Sequence, residues 1–203
     1  MNTTMKKIAL NAAMFAAALF LVSSCSPKKS ENEDSKEVAK EQNDAKFDDT
    51  DVEKDSEFAV KAADAGMLEV QLGKLAQEKG VSKEVKDLGK MMVDDHSKAN
   101  EELKALAQTK NITLPMSLSE DCQKKYDKIA AKSGQEFDDA FTDHMVKDHK
   151  DDIDIFQKEA DKGNDPDIKQ WAAGKIATLE HHLDMAKTAE KAVDDNKKST
   201  GKL

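Results

Sequence analysis

A chain of 203 residues with a formal charge of −9, whose 32 basic residues are all lysine, lacks the planar guanidinium that grips phosphates and base edges; nucleic acid is a poor partner for it. Aromatics at 4% and three prolines, in a background of Ala, Lys, Asp, Glu, Leu and Met, bias it toward helix. Neither a glycine-rich phosphate loop nor a G-x-S-x-G elbow is present, which removes two common routes to nucleotide binding and hydrolysis.

The N-terminus, MNTTMKKIALNAAMFAAALFLVSSC, sets Lys6 and Lys7 before an apolar run from Ile8 to Val22, with small residues ahead of Cys25. The run is about 15 residues, short of the roughly 20 that a spanning helix needs, so residues 1–24 read as a bacterial secretory signal peptide. LVSSC resembles the lipobox of bacterial lipoproteins, which implies a lipid on Cys25 and a protein of the cell envelope, facing the periplasm or the cell surface. With Cys25 so used, Cys122 has no partner for an internal disulfide and is expected to pack as a small hydrophobe.

Residues 25–54 carry only Val38, Ala39, Ala45, Phe47 and Val52 as scattered apolar positions among charges. Such a segment has no face to bury and is expected to be a disordered acidic tether. The folded domain is then expected over 55–194. Its first long helix opens at Ser56 and ends at Gly80, and the second is capped by Ser82 and runs to Asn111. After Pro115, Ser119 caps a short helix that ends at Ser133 and Gly134. The third long helix spans Gln135 to Lys162, and the fourth starts at Asp165 and Pro166 and lasts to about Asp194. Residues 195–203 are expected to fray. Four long helices of about 40 Å each, with a short extra helix between the second and third, make an all-α four-helix bundle the expected fold.

Each long helix carries an apolar stripe with one ionisable interruption. The second has Val85, Leu88, Met92, Ala99 and Leu103 around His96, and the third has Phe137, Phe141, Met145, Ile153 and Phe156 around His149. In the fourth, Ile168, Ala172, Leu179, Ala186 and Ala189 flank His182; in the first, Phe58, Ala62, Ala65, Leu72 and Ala76 flank Glu69. Two of the histidines close the matching segments MVDDH (Met92 to His96) and MVKDH (Met145 to His149). All four interruptions lie near mid-helix, so they are expected to share one layer whichever way the third helix runs.

The pieces EFAVKAADAGMLEVQLGKLA, VKDLGKMMVDDHSKANEEL, GQEFDDAFTDHMVKDH and HHLDMA resemble the bacterial ferritin-like family known as domain of unknown function 4142, whose members are exported proteins and lipoproteins. The resemblance implies a ferritin-like bundle and marks the same four positions: Glu69, His96, His149 and His182. It implies no settled activity.

Three imidazoles and a carboxylate converging inside a bundle suit zinc, iron or copper. Asp95 and Asp148, next to two of the histidines, are expected at the layer's edge or as partners of its ligands. Iron storage is not expected, because the residues three before the histidines are Val93, Val146 and Leu179 rather than the glutamates of the di-iron signature. The competing reading is a structural or interaction module whose buried polar layer only fixes helix register; an enzymatic centre is the third. His144 with Asp148, and His181 with Asp184, read as solvated pairs on the flanks.

Overall fold

The computed structural model describes residues 34–48, 50 and 52–200, and these form helices and turns with no strand. The expected signal peptide, Cys25 and residues 201–203 lie outside the described residues. Six helices follow in order: α1 Ser35–Phe47, α2 Val52–Lys79, α3 Lys83–Thr109, α4 Glu120–Ala130, α5 Gly134–Lys162 and α6 Pro166–Thr200. Among the described residues, no helix is long and apolar enough to cross a membrane.

The helix ends follow local chemistry. Ser82 Oγ accepts from Val85 N at the start of α3, and Ser119 Oγ accepts from Cys122 N at the start of α4. Two buried aspartates tie turns to distant helices. Asp138 on α5 accepts from Val81 N and Ser82 N at 2.9 and 2.8 Å, and Asp55 on α2 accepts from Asn164 N at 3.0 Å in the α5–α6 turn. Helices α2 and α3 pack backbone against backbone, because a Cβ on Gly73 would stand 2.6 Å from the Gly89 carbonyl oxygen.

Helix α2 packs along α3, α5 packs along α6, and α3–α6 and α2–α5 contacts complete the core. The apolar residues separate into two clusters. Leu72 and Ala76 of α2, Val85 and Leu88 of α3, Phe137 and Phe141 of α5 and Ala189 and Val193 of α6 form one end. Phe58, Leu103, Ala107, Phe156, Ile168 and Ala172 form the other. Residues early in α2 and α6 thus share an end with residues late in α3 and α5. The segment 110–133 carrying α4 therefore climbs the long axis, so that α3 and α5 run the same way. The stripes inferred from sequence are the faces that meet, and the ionisable layer falls between the two apolar ends.

The structure corrects three boundaries. Residues 35–47, expected to be disordered tether, form α1, which packs on α2. Polar bonds hold it, together with the buried Ala39 and with Phe47, which packs against the second apolar cluster. Asn43, 1% exposed, donates to Thr113 O at 2.8 Å and accepts from Thr113 N at 2.7 Å, while Ser35 Oγ accepts from Met116 N at 2.8 Å. Helix α2 starts at Val52 rather than Ser56, which places Asp55 inside the helix where it can hold the α5–α6 turn. Helix α6 continues to Thr200, past the expected end at Asp194, supported by Lys197 pairing with Asp139 of α5 and by Lys198 with Asp195.

Cys122 packs inside as expected, 7% exposed. Its thiol donates to Asp64 Oδ2 at 3.3 Å, and burial pushes its pKa up to about 11, which leaves it inert.

Glu159, 8% exposed near Asp55, supplies a pH signature. Burial, and then the Asp55 carboxylate, push its carboxyl from an ordinary 4.5 up to about 7. A raised acid contributes fully below its unfolded pKa, and that contribution is lost as pH rises from 4.5 through 7. Glu159→Gln keeps a donor toward Asp55 but does not ionise. In denaturant titrations it should be about 1–3 kcal/mol more stable than the wild type at pH 8, with the gap closing at pH 4.5. An equal gap at both pH values would contradict the assignment.

Candidate metal centre

Glu69 of α2, His96 of α3, His149 of α5 and His182 of α6 meet in one layer, exposed by 1%, 7%, 0% and 1%. The three imidazole centroids stand 5.1 to 5.6 Å apart, and nitrogens of the three rings lie within 4.8 Å of one another. The heights compared along the sequence meet in space.

Hydrogen bonding fixes which nitrogens carry a proton. His149 Nδ1 lies 2.9 Å from the Met145 carbonyl oxygen, which only accepts, so Nδ1 carries the proton and Nε2 is a lone pair. His182 Nε2 lies 2.9 Å from Asp95 Oδ2, so it donates and leaves Nδ1 bare. His96 Nδ1 lies 2.9 Å from Glu69 Oε2 and donates to the carboxylate, and His96 Nε2 has no hydrogen-bond partner. His149 Nε2 and His182 Nδ1 are 3.3 Å apart, yet with these tautomers neither holds a proton to share. Burial opposes an extra proton: it lowers the pKa of His149 and takes His96 and His182 down to about 4. Each ring thus keeps one nitrogen without a proton, Nε2 of His96 and of His149 and Nδ1 of His182, inside a buried layer.

Glu69 serves two neighbours. Its Oε2 accepts from His96, while its buried Oε1 has no hydrogen-bond partner and lies 3.6 Å from His149 Nε2. Burial pushes its carboxyl up to about 7, against the pull of His149 and with the repulsion of Asp148. Above that pH it is the acceptor that His96 requires.

Beside the layer lies a cavity of about 120 Å³, floored by Glu69, His96 and His182 and walled by Gly66, Asn100 and Trp171. The exposed Lys98 of α3 and Thr178 of α6 also line it. A Cβ on Gly66 would come 2.2 Å from Asn100 Oδ1, so glycine lets the Asn100 amide lie against α2. The volume exceeds what one water needs and leaves the layer reachable from outside.

Across this geometry runs the match to the family described as "Domain of unknown function (DUF4142)", over residues 28–189. The chain belongs to that family. No curated protein and no solved structure matches it. Because the DUF4142 match begins at residue 28, it takes in α1 as well as the long helices.

The other expected site residues of this DUF4142 chain divide. Asp95, half exposed, reaches across to His182 on α6 and fixes its tautomer. Asp148 touches none of the three layer histidines; it lies 3.6 Å from Lys125 of α4 and 3.7 Å from His144. The His144–Asp148 pair is mostly buried, at 13% and 15% side-chain exposure, rather than solvated. His181 is exposed, and Asp184 pairs with Lys187 at 3.6 Å instead. Sequence reasoning missed Asp152, whose carboxylate gathers with those of Glu69 and Asp148 within 4.8 Å. The available signal was its position one turn beyond Asp148 on α5. The cavity walls Asn100 and Trp171 carried no such signal.

Proposed function

We propose that this DUF4142 chain is a ferritin-like four-helix bundle of the bacterial cell envelope that binds one transition metal ion through His96, His149 and His182. The observation that carries the reading is the set of three lone pairs. Each histidine gives its other ring proton to an oxygen, from Glu69, Met145 or Asp95. Metal-binding histidines are held this way, with the second nitrogen bonded to a carboxylate or carbonyl that fixes the ring and raises its basicity.

Three neutral imidazoles with a fourth position facing a cavity favour zinc, and the same nitrogens also suit iron and copper. The ion would give the layer a positive centre that neutralises Glu69 and engages the lone pairs. The chain's own residues hold the geometry: Asp95 and Met145 orient two rings, and Glu69 orients the third. The signal-peptide pattern and the lipobox-like LVSSC support export, with a lipid on Cys25 as the membrane attachment. The described helices supply no membrane span of their own.

Competition dialysis of the metal-stripped protein against zinc at pH 7.5 tests the reading. Zinc should occupy the histidine site of wild-type protein and be lost from it in His149→Ala. Asp95→Asn should bind about 10- to 100-fold more weakly, because the His182 ring loses its anionic partner. Zinc bound equally by wild type and His149→Ala would sink the proposal and leave the layer as a device that fixes helix register.

A further inference from the structure

We infer that Glu69, Asp148 and Asp152 form a second cation site, for a hard divalent ion of the manganese or magnesium class, adjoining the histidine site through Glu69. One oxygen from each carboxylate lies within 4.8 Å of the others. Asp148 and Asp152 occupy successive turns of α5, and Glu69 faces them from α2. An independent observation points to a ligand: Glu69 Oε1, on a side chain 1% exposed, has no hydrogen-bond donor. A buried carboxylate oxygen left in that state costs free energy unless a proton or a cation meets it.

Charge points the same way. Three carboxylates gather here, and the ammonium nearest to them is that of Lys125, 3.6 Å from Asp148. At that spacing like charges repel strongly, and a divalent ion among them turns the repulsion into attraction. The donors are all oxygen, which selects hard ions over those that the imidazoles favour. There is room for the waters such ions retain, because Asp148, Asp151, Asp152 and Lys125 line a groove of about 260 Å³ between α2, α4 and α5. The histidine cavity and this groove share Asp152 and Phe156 in their walls, so the two sites adjoin. Glu69 holds His96 through Oε2 and also brings an oxygen within 4.8 Å of Asp148 and Asp152, which couples the sites through one side chain.

The test is a manganese titration of the purified protein, followed by the loss of the free-ion electron paramagnetic resonance signal, with and without one prior equivalent of zinc. Wild type should take up one manganese per chain in both states. Asp152→Asn should weaken manganese uptake at least about tenfold while keeping zinc, and Asp148→Asn is the second variant should the first fail to fold. Asp151→Asn, exposed on the same groove, should change neither. No manganese uptake, or equal uptake by wild type and Asp152→Asn, would overturn the inference. Manganese uptake without zinc uptake would support it while sinking the histidine proposal, so the two fail separately.

Discussion

A chain that begins at Asp51, without α1, should melt about 10–15 °C below the longer protein. The estimate follows from what α1 holds. Asn43 exchanges two hydrogen bonds with the Thr113 backbone, Lys46 donates to Asn111 O at 3.1 Å, and Ser35 and Asp34 accept from the backbone of residues 116, 117 and 120. Removing the partners of several backbone groups costs about 1 kcal/mol each, and more where they are buried. A total of about 4 kcal/mol moves the melting point of a domain this size by the amount stated. Asn43→Ala alone should cost about 2–3 kcal/mol, because it leaves both Thr113 groups unpaired under α1. Calorimetry of the two proteins decides it, and an unchanged melting point would return residues 25–54 to the status of a tether.

Zinc should raise the melting temperature of the metal-stripped protein by about 5–10 °C at pH 7.5, at an ion concentration near a hundred times its dissociation constant. The shift should shrink as pH falls through about 7, where Glu69 takes up a proton, and vanish as pH approaches about 4, where His96 and His182 do. The stripped protein has its own pH dependence. His96 and His182 fall from an ordinary 6.5 to about 4 on folding, so their contribution to stability is full above 6.5 and lost as pH falls toward 4. Glu69 acts oppositely: its carboxyl rises from 4.5 to about 7, and stability is lost as pH climbs through that window. Zinc removes the Glu69 penalty and engages the bare nitrogens, so its effect is largest where the stripped layer is most strained. His149→Ala should abolish the shift, and His181→Ala, on the exposed face, should leave it intact. A shift of the same size in His149→Ala would mean that zinc acts elsewhere.

Much of the molecule was legible because long helices write their packing into their sequence. The 3.6-residue stripes named the faces that meet, and Gly80, Ser82, Ser119 and Pro166 marked turns where the backbone changes direction. Glu69, His96, His149 and His182 were readable as one layer because mid-helix positions of similar helices share a height. Helix α1 was not readable, because its attachment depends on Asn43 meeting one peptide unit far along the chain, and hydrophobic patterning is silent about such a bond. The partners of the layer were half readable. Adjacency to a histidine suggested both Asp95 and Asp148, yet neighbours on a helix point about 100° apart, and each aspartate serves a neighbour other than the histidine beside it. Asp152 entered through tertiary geometry, as α2 brings Glu69 against α5.

X-ray absorption at the zinc edge of the loaded protein tests the central claim most directly, since it reports the atoms around the ion. The account predicts three imidazole nitrogens at about 2.0–2.1 Å with one oxygen donor completing a four-coordinate shell, and loss of that pattern in His149→Ala. A shell of oxygens alone, or an unchanged spectrum from His149→Ala, would contradict it.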